Sequence, residues 1–229
     1  PLFFNGLVVY FVVIADRWLL QNFYGSVEQG YYTLALKIGS IIFLFTSSIS
    51  TLLVREMSLS YKDKNKEELK CLFGRHIPLF YFIAAYFAVF ISFNAETISF
   101  IIGGLKYKNA SMIIAIMAFY PVHQTYGQLG GAVFLATDRT RIIRNIGVSS
   151  GIIVFIISFL LLTPIEFYGF GLGAIGLAIK MVLTQFISVN IYLWISTRFL
   201  NLSFLKFFGH QIIVIFFLSI LAKFAEYFS

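Results

Sequence analysis

Residues Gly171 to Trp194 read GLGAIGLAIKMVLTQFISVNIYLW, an apolar run of over twenty residues broken by one charge, Lys180. At a rise of about 1.5 Å per residue the run crosses the roughly 30 Å hydrocarbon core of a bilayer, so it predicts a transmembrane helix. Lys180 then lies inside the membrane, where an isolated cation costs on the order of 3 kcal/mol or more. It either faces a polar cavity or partner, or snorkels to the nearer interface. Gly171, Gly173 and Gly176 form a literal G-x-G-x-x-G, but a dinucleotide site needs a preceding strand, a βαβ unit and an acidic residue roughly 20 positions on. Nothing around this run supplies them, and small residues that let membrane helices approach explain the glycines.

The rest of the chain has the same character. Of 229 residues 59% are hydrophobic, 19% are aromatic and only 12% are charged, with a mean hydropathy of +0.89. A soluble domain of this size needs a far more charged surface, so the apolar excess faces lipid. The apolar runs are continuous and near twenty long, without the alternating ten-residue segments of a membrane β-barrel. The fold class is therefore all-α, a polytopic transmembrane helical bundle. Apolar runs between polar breaks predict about seven spans, at 2–24, 31–54, 77–93, 111–134, 145–163, 171–195 and 207–227.

The connections carry the orientation. Arg55, Lys62, Lys64, Lys66, Lys70 and Arg75 lie in 55–76, Arg139, Arg141 and Arg144 in 135–144, and Arg198 and Lys206 in 196–206. The alternate set holds only Arg17, Lys106, Lys108 and Lys223. The richer set belongs in the cytoplasm. Basic residues so dispersed form no contiguous stripe, so the net charge of +7 points to topology and excludes nucleic acid as a partner. The single cysteine, Cys71, allows no intramolecular disulfide and no metal-ligand spacing. Within 55–76, YKDKNKEELKCLF suits either a short amphipathic helix on the inner interface or a solvated linker. The chain opens on Pro1 and is apolar from Leu2, with no basic leader region, and is expected to be a piece of a longer protein.

Candidate functional residues sit inside the spans. Asp16 and Arg17 are adjacent near the outer end of the first; about 100° apart on a helix, they either serve different neighbours or anchor the helix end as an interfacial pair. In the fourth span Pro121 breaks the hydrogen-bond ladder and is followed by His123, Gln124, Thr125, Tyr126, Gly127 and Gln128, a polarity lipid does not tolerate. Tyr120, Gln124 and Gln128 recur every four residues, aligning a phenol and two amides on one face, the groups that bind sugar hydroxyls or line a wet cavity. His123 reads as an interhelical hydrogen-bonder or a proton relay. A repeat, G-x-x-x-L-A-[LI]-K, spans Gly30 to Lys37 and Gly173 to Lys180, placing each lysine at equal depth below its glycine. Internal repetition of this kind occurs in transporters with the substrate site between repeats.

Several of these features together resemble the bacterial polysaccharide flippases, the O-antigen and related lipid-linked oligosaccharide translocases of the multidrug/oligosaccharidyl-lipid/polysaccharide exporter superfamily. The second half of such proteins has a first helix ending in Asp-Arg (here Asp16, Arg17) and a second opening Gly-Tyr (Gly30, Tyr31, Tyr32). It has an outer Gly-x-x-Tyr-x-x-Ala (Gly104, Tyr107, Ala110) and a sixth helix continuing Gly-Leu-Ala (Gly176, Leu177, Ala178). The resemblance covers about residues 1 to 200. It departs from the family in supplying seven spans where twelve or fourteen are usual. It implies half of a MATE-like two-bundle transporter, lacking its N-terminal half, in the bacterial inner membrane. It further implies alternating-access movement of a polyprenyl-pyrophosphate-linked oligosaccharide for surface polysaccharide or lipopolysaccharide synthesis, energised by a proton or sodium gradient and needing no cofactor. Arg17, Lys37 and Lys180 would then attract the pyrophosphate, with Asp16 beside them, and Tyr120, His123, Gln124 and Gln128 would meet sugar. A membrane polysaccharide polymerase or ligase, or a cation-coupled drug exporter, are the competing classes. The first usually carries a sizeable outer loop, whereas 94–110 is short; the second calls for an acidic cavity, whereas the interior charges here are mainly basic. No nucleophile with a base or carboxylate pair is apparent, so the expected role is not enzymatic.

The basic bias makes a direct prediction: in intact cells a membrane-impermeant thiol reagent leaves Cys71 unlabelled, and labels it once the membrane is opened.

Overall fold

A computed structural model describes residues 2–228, apart from the side chain of Phe45. Among these residues there is no strand; eight α-helices and two short 3-10 segments account for nearly the whole length. The membrane class needs no other explanation, because hydrocarbon offers backbone amides no partner and a helix satisfies them internally.

Helix α1 (Leu2–Lys62) covers 61 residues, too long to cross once: straight, it would measure roughly 90 Å, three times the hydrocarbon core. It kinks at Gly25, whose φ of 77° and ψ of −174° only glycine adopts without strain. The expected spans 2–24 and 31–54 are thus two arms of one element, and the polar SVEQ link between them is helical. The second arm runs on past 54 to Lys62.

The expected interfacial helix or linker in 55–76 is also corrected. After a tight turn in which Lys64 has positive φ, α2 (Lys66–Phe93) starts eleven residues before the predicted span. Its start is fixed by Asn65, whose side chain accepts from the Glu68 N–H at 3.1 Å, with Glu67 and Glu68 in the positive first turn. The connection 94–110 is not open loop but α3 (Ala95–Gly103) and a 3-10 segment (Leu105–Ala110).

The fourth span is interrupted, as Pro121 predicted, but the break falls just before it. Helix α4 (Ser111–Met117) ends, Ala118 and Phe119 turn, and α5 (Tyr120–Ala136) begins with Pro121 in its first turn, where its missing N–H costs least. Gly39 of α1 lies against this break; a Cβ there would sit 3.2 Å from the Met117 carbonyl oxygen. Then follow α6 (Thr140–Leu162), α7 (Gly173–Leu200) and α8 (Phe204–Phe228). Among the described residues five helices, α1, α2, α6, α7 and α8, are individually long and apolar enough to cross a membrane, against about seven expected spans. The difference lies in the kinked α1 and the broken α4–α5 pair.

Two apolar cores hold the bundle. One joins α2, α5, α7, α8 and the far arm of α1 around Phe73, Tyr81, Tyr126 and Met57; the other joins α1 near its kink to α4 and α7 around Leu20, Met117 and Leu177. Helix α6 packs on the first arm of α1 through Gly147-x-x-x-Gly151. A Cβ at Gly147 would collide with the Asn5 amide, and one at Gly151 with Val8, the close approach that small residues four apart allow. Gly151→Leu is therefore expected to lower the melting temperature of the detergent-purified protein by several degrees, whereas Gly209→Ala, into open space on α8, leaves it unchanged.

Candidate functional site: a polar groove and a buried ion pair

Helix α5 carries its polar residues on more than one face. Gln124 and Gln128 look into a groove of about 530 Å³ whose polar walls are Ser47, Ser50 and Thr51 of α1 and Tyr192 of α7, with Val54, Leu135 and Ile143 between them. The amides are held at different tensions. Gln185 of α7 donates to Gln124 Oε1, and Gly127 makes room for that approach, since a Cβ would sit 2.9 Å from Val189 and 3.4 Å from Gln185. Gln128 Oε1, by contrast, is buried with no protein donor. A buried acceptor without a donor is uncommon and costly, so the groove wall presents a hydrogen-bond acceptor to whatever enters. The hydroxyls opposite bond back along α1, Ser47 to the Leu44 carbonyl at 3.2 Å and Thr51 to that of Ser47 at 3.5 Å. Each spends its proton there and keeps lone pairs for a hydroxylated ligand. Tyr192 Oη donates to the Ile143 carbonyl at 3.3 Å, pinning α7 to α6 at the groove edge.

A second polar locus lies deeper. Lys180 is 1% exposed and Asp16 is 4% exposed, and their Nζ and Oδ2 are 2.5 Å apart. This resolves two open readings. Lys180 does not snorkel: it takes a carboxylate partner from α1. Asp16 and Arg17 serve different surroundings, the first buried and the second exposed. Each ion alone in hydrocarbon would be prohibitive; together they cancel charge, although Asp16 Oδ1 still lacks a donor. Buried Tyr32 lies within electrostatic reach of Asp16, Arg17 and Tyr120. The kink of α1 adds a further tie, since Glu28 Oε2 accepts the Ala174 N–H at 3.0 Å, putting a carboxylate on the N-terminus of α7.

The sequence-predicted residues therefore divide. Gln124 and Gln128 share the groove. Tyr120, one turn earlier, packs edge-on to Phe43 with ring centroids 5.5 Å apart and is not part of the groove wall. His123 lines a separate cavity with Tyr81, Phe186 and Gln211. Lys37 is exposed while Lys180 is buried, so the repeat does not place them in matched surroundings. Sequence reading did not single out Ser47, Ser50, Thr51 and Tyr192, nor Glu28. The hydroxyl-rich SSIST at 47–51 was the available signal for the first three.

No family model and no solved structure matches the chain. It is similar to the capsular polysaccharide biosynthesis protein CapF of Staphylococcus aureus, with 23% identity over 198 residues, covering 86% of this chain and 48% of that protein. The chain thus spans about half the length of the curated relative it matches.

Removing one member of the ion pair leaves the other as an uncompensated buried charge, a loss of about 3–5 kcal/mol. Asp16→Asn and Lys180→Met are each expected to unfold the purified protein at markedly lower temperature. The double variant should recover much of that loss, a coupling read from a double-mutant cycle of thermal stability.

Proposed function

We propose that the chain is half of a translocase that carries a lipid-linked oligosaccharide across the bacterial inner membrane during surface polysaccharide synthesis. The observation that carries this reading is the groove: amide, hydroxyl and phenol groups of Gln124, Gln128, Ser47, Ser50, Thr51 and Tyr192 gathered inside a helical membrane bundle. That donor and acceptor set can meet sugar hydroxyls. The likeness to a capsular polysaccharide biosynthesis protein supports the pathway class.

On this reading the work is binding and release by alternating access, with no bond made or broken, and a proton or sodium gradient supplies the drive. The lipid-linked pyrophosphate meets exposed Arg17 and Lys37, point and fork charges suited to phosphate oxygens. Lys180 acts differently, because its charge is already neutralised by Asp16; it holds α7 to α1. The other half of the transporter closes the groove.

Gln124→Ala with Gln128→Ala in the full-length protein is expected to cut surface polysaccharide at least tenfold in a complementation assay normalised to membrane protein level. Tyr120→Phe, outside the groove, should change it little. Full polysaccharide from the double-alanine variant would remove the groove from the substrate path.

A further inference from the structure

Two connections meet at the kink of α1. Tyr107, in the 3-10 segment after α3, packs edge-on to Tyr31 with ring centroids 5.8 Å apart, and Phe167, in the connection from α6 to α7, lies 5.8 Å from Phe23. Tyr31 and Phe23 flank Gly25, so both connections stand at the same end of the bundle. Both expose large apolar side chains. Phe100, Ile101, Ile102 and Leu105 are 55–79% exposed, and Ile165 and Tyr168 reach 79% and 93%, with Phe167 between them and Phe170 just beyond also turned outward. The connections at the opposite end are different: they read DKN at 63–65, TDR at 137–139 and NLS at 201–203, the turn chemistry of chain in water.

The apolar connection 163–172 also keeps its backbone from needing water. From Phe167 to Leu172 every N–H donates to a carbonyl between Leu160 and Ile165, at 2.7–3.1 Å. Thr163 returns both its N–H, at 3.0 Å, and its hydroxyl, at 2.7 Å, to the Phe159 carbonyl. The segment is folded back so tightly on the end of α6 that a Cβ at Gly169 would sit 2.0 Å from the Thr163 carbonyl oxygen. The other connection does the same on a smaller scale: the Gly104 N–H donates to the Phe100 carbonyl at 2.8 Å, the Tyr107 N–H to that of Gly104 at 3.1 Å, and the Ser99 hydroxyl to that of Tyr107. A loop in water can leave such groups to the solvent, whereas one in lipid has to satisfy them itself.

The depth agrees. Leu162 is 18 residues beyond Arg144, the last charge of α6, about 27 Å along the helix. With Arg144 at one polar boundary, a hydrocarbon core of roughly 30 Å ends where the connection begins. Apolar exposure continues onto the connections without a break, from Ile156, Phe159 and Leu160 of α6 to Ile165, and from Phe90 and Phe93 of α2 to Phe100. The charges at this end, Glu96, Lys106, Lys108 and Glu166, are all exposed, on stems that can carry them up to the headgroups. Tyr168 pairs an apolar ring with a polar tip, the amphipathic type that collects at that level.

We propose that 163–172 and 100–105 form an interfacial anchor, two connections lying in the boundary between headgroups and acyl chains of one leaflet with lipid as their partner. Lipid is the occupant because the patch is continuous with the lipid-facing surface of the spans and its backbone asks nothing of water. The anchor holds the kink of α1 and the start of α7 at a fixed depth, beside the bond from the Ala174 N–H to Glu28. It is independent of what the bundle carries.

The test places single spin labels on the full-length protein in phospholipid vesicles, with the native cysteines, Cys71 among them, replaced. Ile101→Cys, Ile165→Cys and Tyr168→Cys are all at outward positions, so no core packing is disturbed. Lys62→Cys, at the opposite end, reports water and Ile156→Cys reports lipid. Relaxation by oxygen is compared with relaxation by a water-soluble nickel chelate. The three anchor labels are expected to favour oxygen over the chelate at least threefold more than Lys62→Cys does, at a depth of about 5–10 Å below the phosphates. Chelate access equal to that of Lys62→Cys would make the connections aqueous loops and overturn the anchor. Poor access to both reagents would mean that protein covers the patch, whether a second copy or the rest of the chain, and would overturn it equally.

Discussion

Hydrocarbon supplies no hydrogen bonds, and the polar groups within the spans are placed by that constraint. The cheapest solution is local. Thr125 donates to the Pro121 carbonyl at 2.9 Å, Ser158 to Val154 at 2.9 Å, Thr184 to Lys180 at 2.7 Å and Thr197 to Leu193 at 2.8 Å, each one turn back on its own helix. Such residues can face lipid, another helix or a cavity at little cost and carry no positional information. Amides, imidazoles and charges cannot satisfy themselves in this way. Where Gln128, His123 and Asp16 sit, the bundle must provide a cavity or a partner, and it provides one in each case.

The ion pair between Asp16 and Lys180 and the bond from Glu28 to the first turn of α7 lie on either side of the Gly25 kink. Both fasten the start of α7 to α1 with charge, in a medium where charge has nowhere else to go. Replacing the pair by apolar residues need not weaken the fold, so its retention is better understood as register: it admits only one rotation of α7 against α1. Ser47, at the groove, is 22 residues beyond Gly25, roughly 33 Å along the helix. The groove is therefore remote from both links, although Glu28 lies on the same arm of α1.

Composition made the membrane class legible, and Pro121 followed by HQTYGQ marked the polar interior of the broken helix. What stayed hidden depended on rotation and partner. His123 and Gln124 are consecutive, yet about 100° of helical turn sends them to different cavities. Asp16 and Lys180 are 164 positions apart, and no spacing rule links them. The repeat ending in Lys37 and Lys180 equated two lysines by motif, but α7 is sheltered between α1, α4, α5 and α6 where α1 at Lys37 lies at the surface. The stretch 25–30 interrupts the apolar pattern, yet beyond Gly25 it is helical, and Glu28 within it reaches the first turn of α7, which residue type alone does not reveal.

The surface beside the groove is unlike the rest. Ser40, Ser47, Ser48 and Thr51 of α1 and Asn145 and Ser149 of α6 are exposed, whereas the outward residues of α8 are Ile212, Ile213, Phe216, Phe217 and Leu221. A lipid-facing helix has the second composition, and a helix facing water or another protein surface inside the membrane has the first. The α8 side of the bundle is thus built for acyl chains, whereas the side beside the groove mixes these polar residues with exposed Ile41, Leu44 and Leu52. On the transport reading, the second side is where the remainder of a protein about twice this length would stand, and the groove is one wall of a cavity between two halves.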